Sequence, residues 1–102
     1  MTVKETVDSA IADHKIVIFA KSYCPHCKAA KKLLIDDLEL GDEVTVYELD
    51  QLADGTERQD YLLEKTGQRT VPNIFINQKH IGGNDTLQAL NKDGKLAGLL
   101  AA

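Results

Sequence analysis

Three rhythms of apolar residues run along the chain. Val3, Val7, Ala10 and Ile11 recur at helical spacing behind Thr2-Val3-Lys4-Glu5, a capping-box pattern, and predict a first helix of about three turns. Ile16-Val17-Ile18-Phe19-Ala20 is a continuous, β-branched run, the pattern of a strand buried on both faces. Ala29, Ala30, Leu33, Leu34 and Leu38 then form a second helical stripe, which Gly41-Asp42 breaks. Val44-Thr45-Val46-Tyr47-Glu48-Leu49 reads as a second strand, so strand, helix and strand form a parallel pair with a right-handed crossover. A third helix is expected from about Thr56 to Thr66, with Tyr61, Leu62 and Leu63 toward the core and Gly67 as its stop.

After Gly67 the rhythm changes. Thr70-Val71-Pro72 leads into Asn73-Ile74-Phe75-Ile76, then Asn77-Gln78, then Lys79-His80-Ile81, which predicts a hairpin on a two-residue turn. Gly82-Gly83-Asn84-Asp85 follows, and Leu87, Leu90, Leu96, Leu99 and Leu100 supply one or two closing helices around Asp93-Gly94. The sum is an α/β domain over residues 1–102, a four-stranded mixed sheet covered on both faces.

Composition narrows the function. A chain of 102 residues, 43% hydrophobic, is long enough for a core without metal or disulfide staples. A formal charge of −4 argues against general nucleic-acid binding. No apolar run approaches the roughly 20 residues of a membrane span, and the polar, amphipathic first residues do not read as a signal peptide. The expectation is a cytoplasmic protein with no membrane partner, in a compartment where a lone Cys-x-x-Cys is redox-active or metal-binding.

Both cysteines lie in Lys21-Ser22-Tyr23-Cys24-Pro25-His26-Cys27. Structural zinc needs four ligands, and His14, His26 and His80 are scattered without a second paired spacing, so no metal site is expected. A structural disulfide closing about four residues would restrain the unfolded chain little. Thiol chemistry has a physical basis. Cys24 falls where a strand passes into a helix, with Pro25 at a first helical position, so the helix dipole and its first N–H groups favour the thiolate. Cys27 lies one turn further along the same face, less exposed, placed to resolve a mixed disulfide on Cys24.

Three motifs in order closely resemble the dithiol glutaredoxins of the thioredoxin superfamily, over nearly the whole chain. They are Lys21 to Cys27, Gly67-Gln68-Arg69-Thr70-Val71-Pro72-Asn73-Ile74-Phe75-Ile76, and Ile81-Gly82-Gly83-Asn84-Asp85. The resemblance implies a thioredoxin fold, a four-stranded mixed sheet flanked by about five helices. It also implies a glutathione-dependent thiol–disulfide oxidoreductase with catalytic Cys24 and resolving Cys27. Protein–glutathione mixed disulfides and small or protein disulfides would be its substrates. Glutathione is then a co-substrate and no cofactor is tightly bound. Glutathione reductase is served indirectly through oxidised glutathione, and a monomer suffices.

By the same resemblance, Val71-Pro72 is a cis-proline element whose Val71 backbone pairs with the cysteinyl part of glutathione. Sequence alone leaves open an ordinary trans proline opening an edge strand. Gly83, Asn84 and Asp85 would hold the γ-glutamyl end, although taken alone Gly82-Gly83-Asn84-Asp85 reads first as a plain turn and helix cap. Lys21 and Gln59 match positions that bind the glycyl carboxylate, with Arg69 assisting, and Tyr23 flanks the sulfur. Lys21, Lys28, Lys31 and Lys32, with no acid between positions 21 and 32, are expected to place positive charge around Cys24. The motif departs from the family at His26, where tyrosine is usual, and shares Cys-Pro-His-Cys with DsbA-type oxidants. His26 is expected to stabilise the thiolate further and make the protein more oxidising, unless it is merely an exposed polar residue. The rival readings are a thioredoxin-like reductase and an iron–sulfur carrier. The absence of tryptophan counts against the first, and Pro25 against the second.

Overall fold

The computed structural model describes residues 1–101. Helix α1 (Val3–Asp13) begins with the expected capping box, in which Thr2 Oγ1 accepts from the Glu5 N–H and Glu5 Oε1 accepts from the Thr2 N–H. Strand β1 (Ile16–Ala20) is buried at every position. Helix α2 (Pro25–Lys31) runs on as a π-helical turn over Lys32–Asp37, and β2 (Val44–Glu48) follows. Helix α3 (Gly55–Thr66) leads to the hairpin of β3 (Asn73–Ile76) and β4 (Lys79–Gly82), and α4 (Asn84–Lys92) and α5 (Leu96–Ala101) close the chain.

The sheet order is β2-β1-β3-β4. Strand β1 pairs parallel with β2, Ile16 opposite Val44 and Ala20 opposite Glu48, and antiparallel with β3. This is the four-stranded mixed sheet with five helices expected of a thioredoxin fold. Alternation sends β1 side chains to two cores. Ile16, Ile18 and Ala20 pack with Cys27, Ala30, Leu34 and Leu87 under α2 and α4, whereas Val17 and Phe19 pack with Val7, Ile11 and Leu62 under α1 and α3. On the second side Phe19 stacks on Tyr47 and meets Phe75 edge-on.

Several boundaries differ from the sequence expectation. The second helix does not stay α-helical up to Gly41-Asp42. Its last turns widen, and the Leu38 N–H reaches the Leu33 carbonyl at 2.9 Å. That extra residue per turn brings Lys32 over Asp37, 2.9 Å apart, and lets Leu38 and Leu40 both pack on the core. Leu49 leaves the strand for a short 3₁₀ turn, Leu49–Gln51, where it is still buried. Leu63 is 43% exposed, because the core-facing stripe of α3 runs through Gln59 and Leu62. Gly67 ends α3 at φ 80°, a left-handed cap that glycine adopts without a Cβ clash. The hairpin turn has Asn77 and Gln78 both at positive φ, the type I′ geometry that suits the twist of a two-residue hairpin.

Candidate active site

The site lies at the carboxyl end of β1, where the chain turns into α2. Cys24 is the residue before the helix, with extended backbone (φ −85°, ψ 118°) and Pro25 in the first turn. Its amide donates to the Lys21 carbonyl at 3.1 Å, and its carbonyl accepts from the Lys28 N–H at 3.1 Å. Its Sγ takes the place of a capping oxygen, accepting the Cys27 N–H at 3.2 Å. The loop before it is clamped from outside, because Asp50 accepts both the backbone N–H and the hydroxyl of Ser22. Those two bonds, hydroxyl first, hold the Asp50 carboxyl below its ordinary range.

The two thiols have unlike surroundings. Cys24 is 8% exposed and Cys27 is fully buried. Burial, and then its hydrogen bond with Cys24, pushes the Cys27 thiol up to about 12. Of the two sulfurs, that of Cys24 is the more accessible.

Facing Cys24 is the segment Gln68–Pro72. The Val71–Pro72 peptide is cis, and the Val71 carbonyl lies 3.8 Å from Cys24 Sγ. Side-chain amides hold this segment. Gln59 donates to the Arg69 carbonyl at 2.7 Å, Gln68 donates to the carbonyls of Thr70 and Pro72 at 3.0 Å each, and buried Asn73 donates to the Gln68 carbonyl at 3.3 Å. Gly82, at φ 116°, turns the chain into Gly83, and α4 starts there with no side-chain cap among the described residues. Asn84 Oδ1 is occupied instead by the Gln88 amide at 3.1 Å. His26, Pro72, Gly83, Asn84 and Asp85 line an open groove of about 460 Å³ beside the thiols.

The structure therefore brings His26, Val71, Pro72, Gly83, Asn84 and Asp85 to one groove, with Cys24 against Val71 beside it and Cys27 buried behind Cys24. Tyr23 stands 66% exposed just before Cys24. Lys21 is partly buried beside the Asp50 clamp. Gln59 is buried behind the loop with its amide committed to Arg69, and Arg69 itself pairs with Asp60 at 3.0 Å. The cationic cluster is smaller than expected, since Lys31 pairs with Glu48 and Lys32 with Asp37, leaving Lys21 and Lys28 near the motif. Gln68, Thr70 and Thr86 also line the groove and were not anticipated as site residues. For Gln68 the available signal was a loop amide just upstream of Pro72, where carbonyls outside the sheet ladder need donors.

A mixed sheet with a Cys-x-x-Cys opening a helix, against a cis-proline loop, defines a thioredoxin-fold dithiol protein. Residues 16–81 match the Glutaredoxin family model. Glutaredoxin-C6 of Oryza sativa subsp. japonica is 54% identical over 97 residues, 95% of this chain and 80% of the rice protein. Glutaredoxin-1 of Saccharomyces cerevisiae is 46% identical over 97% of this chain and 90% of its own. Among solved structures, the buckwheat glutaredoxin–glutathione complex superposes with TM-score 0.89 at 41% identity, covering 97% of this chain and 87% of that one. The chain belongs to the glutaredoxin family, and its Cys24–Cys27 pair is that of a thiol–disulfide oxidoreductase.

Proposed function

We propose that this protein reduces protein–glutathione mixed disulfides, and small or protein disulfides, with glutathione as electron donor. The carrying observation is the placement of Cys24 Sγ 3.8 Å from the Val71 carbonyl, at the edge of a groove that ends on the uncapped start of α4. An extended tripeptide pairing with the Val71 backbone would run along that groove as an added strand. Its γ-glutamyl carboxylate would meet the free N–H groups at Gly83–Asp85, with the Asp85 carboxylate facing its ammonium group. Lys21 and Arg69 supply positive charge for the glycyl end. Gln59 belongs to that end too, and its bond to the Arg69 carbonyl suits it to hold the loop in place.

The Cys24 thiolate attacks the glutathione sulfur of the mixed disulfide, and the protein thiolate leaves and takes up a proton. The product is glutathione disulfide-bonded to Cys24. A second glutathione thiolate attacks the glutathione sulfur, restoring Cys24 and forming oxidised glutathione, which glutathione reductase recycles. When a protein disulfide is the substrate, Cys27 attacks Cys24 instead and frees the bound protein. The kinetics are ping-pong. The protein acts as a cytoplasmic monomer in this scheme. His26 on the groove wall makes the dithiol form more stable and the couple more oxidising, so His26→Tyr lowers the potential measured against a glutathione redox buffer.

The test is turnover of a glutathionylated peptide with glutathione, NADPH and glutathione reductase, for wild type, Cys24→Ser and Cys27→Ser. Activity in wild type and Cys27→Ser but not in Cys24→Ser supports the reading. No turnover in wild type defeats it.

A further inference from the structure

The resolving step poses a problem that the site described so far does not answer. Cys27 must become a thiolate to attack Cys24, yet it is fully buried on the core-facing side of α2, where the charged form is disfavoured. The residues around it from β1, β3 and α4 are apolar, and the ionisable groups near it are Cys24, Lys31 and, through Lys31, Glu48.

Lys31 lies one turn after Cys27, four residues along α2, on the same side of the helix. Glu48 pairs with Ala20 across the parallel ladder. Alternation along β2 puts Glu48 on the face of Val44 and Val46, which pack against the core containing Ala20 and Cys27. Lys31 Nζ reaches Glu48 Oε1 at 2.6 Å, with the two side chains only 24% and 22% exposed. The other carboxylate oxygen, Oε2, is buried without a hydrogen-bond partner among the described residues. A carboxylate tied by one oxygen and bare at the other is a poor structural ion pair, because the bare oxygen has lost water and gained nothing.

We propose that Lys31 is the charge that activates Cys27 for the resolving step, and that Glu48 attenuates it by holding Lys31 in an ion pair. The inference rests on the redox reading of the Cys24–Cys27 pair. Burial disfavours the Cys27 thiolate most, and two neighbours oppose it: the Lys21 backbone through a hydrogen bond, and after it the Lys31 charge. In the step itself Cys27 loses its proton to solvent, and its sulfur attacks Cys24 of the mixed disulfide. The Cys24–Cys27 bond forms as the bond from Cys24 to the substrate sulfur breaks, the substrate sulfur leaving with the electron pair. The two protein sulfurs end oxidised and the substrate thiol reduced. Lys31 is a positioning residue in this account, since it touches no substrate and acts through Cys27.

An aromatic disulfide whose thiolate absorbs visible light separates the two steps in one stopped-flow trace. The first equivalent released reports attack by Cys24, and the second reports resolution by Cys27. The readout is the ratio of second-phase to first-phase rate across pH. Lys31→Met is expected to lower that ratio at neutral pH by about threefold to tenfold and to move the second-phase pH profile upward. Glu48→Gln is expected to raise the ratio and move the profile downward, because Lys31 is then unopposed. Lys31→Arg is expected to restore the wild-type ratio to within about twofold. A purely structural pair would not shift the profile in opposite directions for its two members. An unmoved ratio in Lys31→Met, or a slower second phase in Glu48→Gln, overturns the proposal. Absence of the first phase in wild type would instead defeat the thiol-nucleophile reading on which it rests.

Discussion

The two walls of the groove are built by different means. The thiol wall is secondary structure: a strand buried on both faces runs into a helix, and Cys24 caps that helix with its own sulfur. The facing wall combines the start of α4 with Gln68–Pro72, irregular chain held by the side-chain amides of Gln59, Gln68 and Asn73 on backbone carbonyls. The first wall inherits its rigidity from the core beneath it. The second relies on individual hydrogen bonds, each worth about 1 kcal/mol, and single substitutions should loosen it without unfolding the domain.

Alkylation should expose the largest contrast, and it lies within the thiol wall. Cys27 is fully buried, and burial, then its hydrogen bond with Cys24, pushes its thiol up to about 12, so at neutral pH an external reagent meets it far less readily than it meets Cys24. Brief iodoacetamide treatment at pH 7, read by peptide mass spectrometry, is expected to label Cys24 and leave Cys27 unlabelled. Comparable labelling of both would mean that the two thiols are not differentiated by the fold.

Next in size is Gln68→Ala, which strips donors from the carbonyls of Thr70 and Pro72. The KM for glutathione is expected to rise about tenfold with kcat less affected, because in the proposed scheme the facing wall binds and the thiol wall reacts. A fall in kcat at constant KM would contradict the division between the walls. Asp50→Ala tests the thiol wall in the same way by releasing Ser22. It should slow single-turnover attack by Cys24 by about fivefold while glutathione affinity changes little. The depressed Asp50 carboxyl stays ionised until the pH falls below its ordinary value of 3.8, so the clamp contributes above that pH and is lost only under more acid conditions.

The smallest effect concerns His80, whose Nε2 lies 2.9 Å from Asn73 Oδ1 and supports the facing wall from the edge strand. Burial holds the His80 imidazole below its ordinary 6.5, so the folded protein takes up this proton less readily than the unfolded chain. Stability should therefore decline slightly as pH falls below 6.5. Urea midpoints at pH 7.5 and pH 5 check this, and His80→Gln should flatten the difference between them.

The same contrast explains what could be read before the structure. Ile16–Ala20 announces a buried strand by composition, Pro25 announces a helix start, and Cys24 must then lie at their junction. Periodicity carried that wall, and it carried the hairpin and the capping box of α1 as well. It did not carry Gln59, Gln68 and Asn73 as struts, because a side-chain amide bonding a distant carbonyl leaves no repeating signal. The facing wall was legible only through likeness to a family. The charge pattern misled for a related reason, since the acids that neutralise Lys31 and Lys32 come from outside the basic stretch, Glu48 from another strand and Asp37 from the next helical turn.

The central claim is that Cys24 presents its sulfur to a tripeptide lying between the two walls. The most direct measurement is a crystal structure of Cys27→Ser with glutathione disulfide-bonded to Cys24. The account predicts the cysteinyl backbone paired with Val71 and the γ-glutamyl end on Gly83, Asn84 and Asp85. A bound glutathione that turns out of the groove, leaving Val71 and the start of α4 untouched, would contradict it.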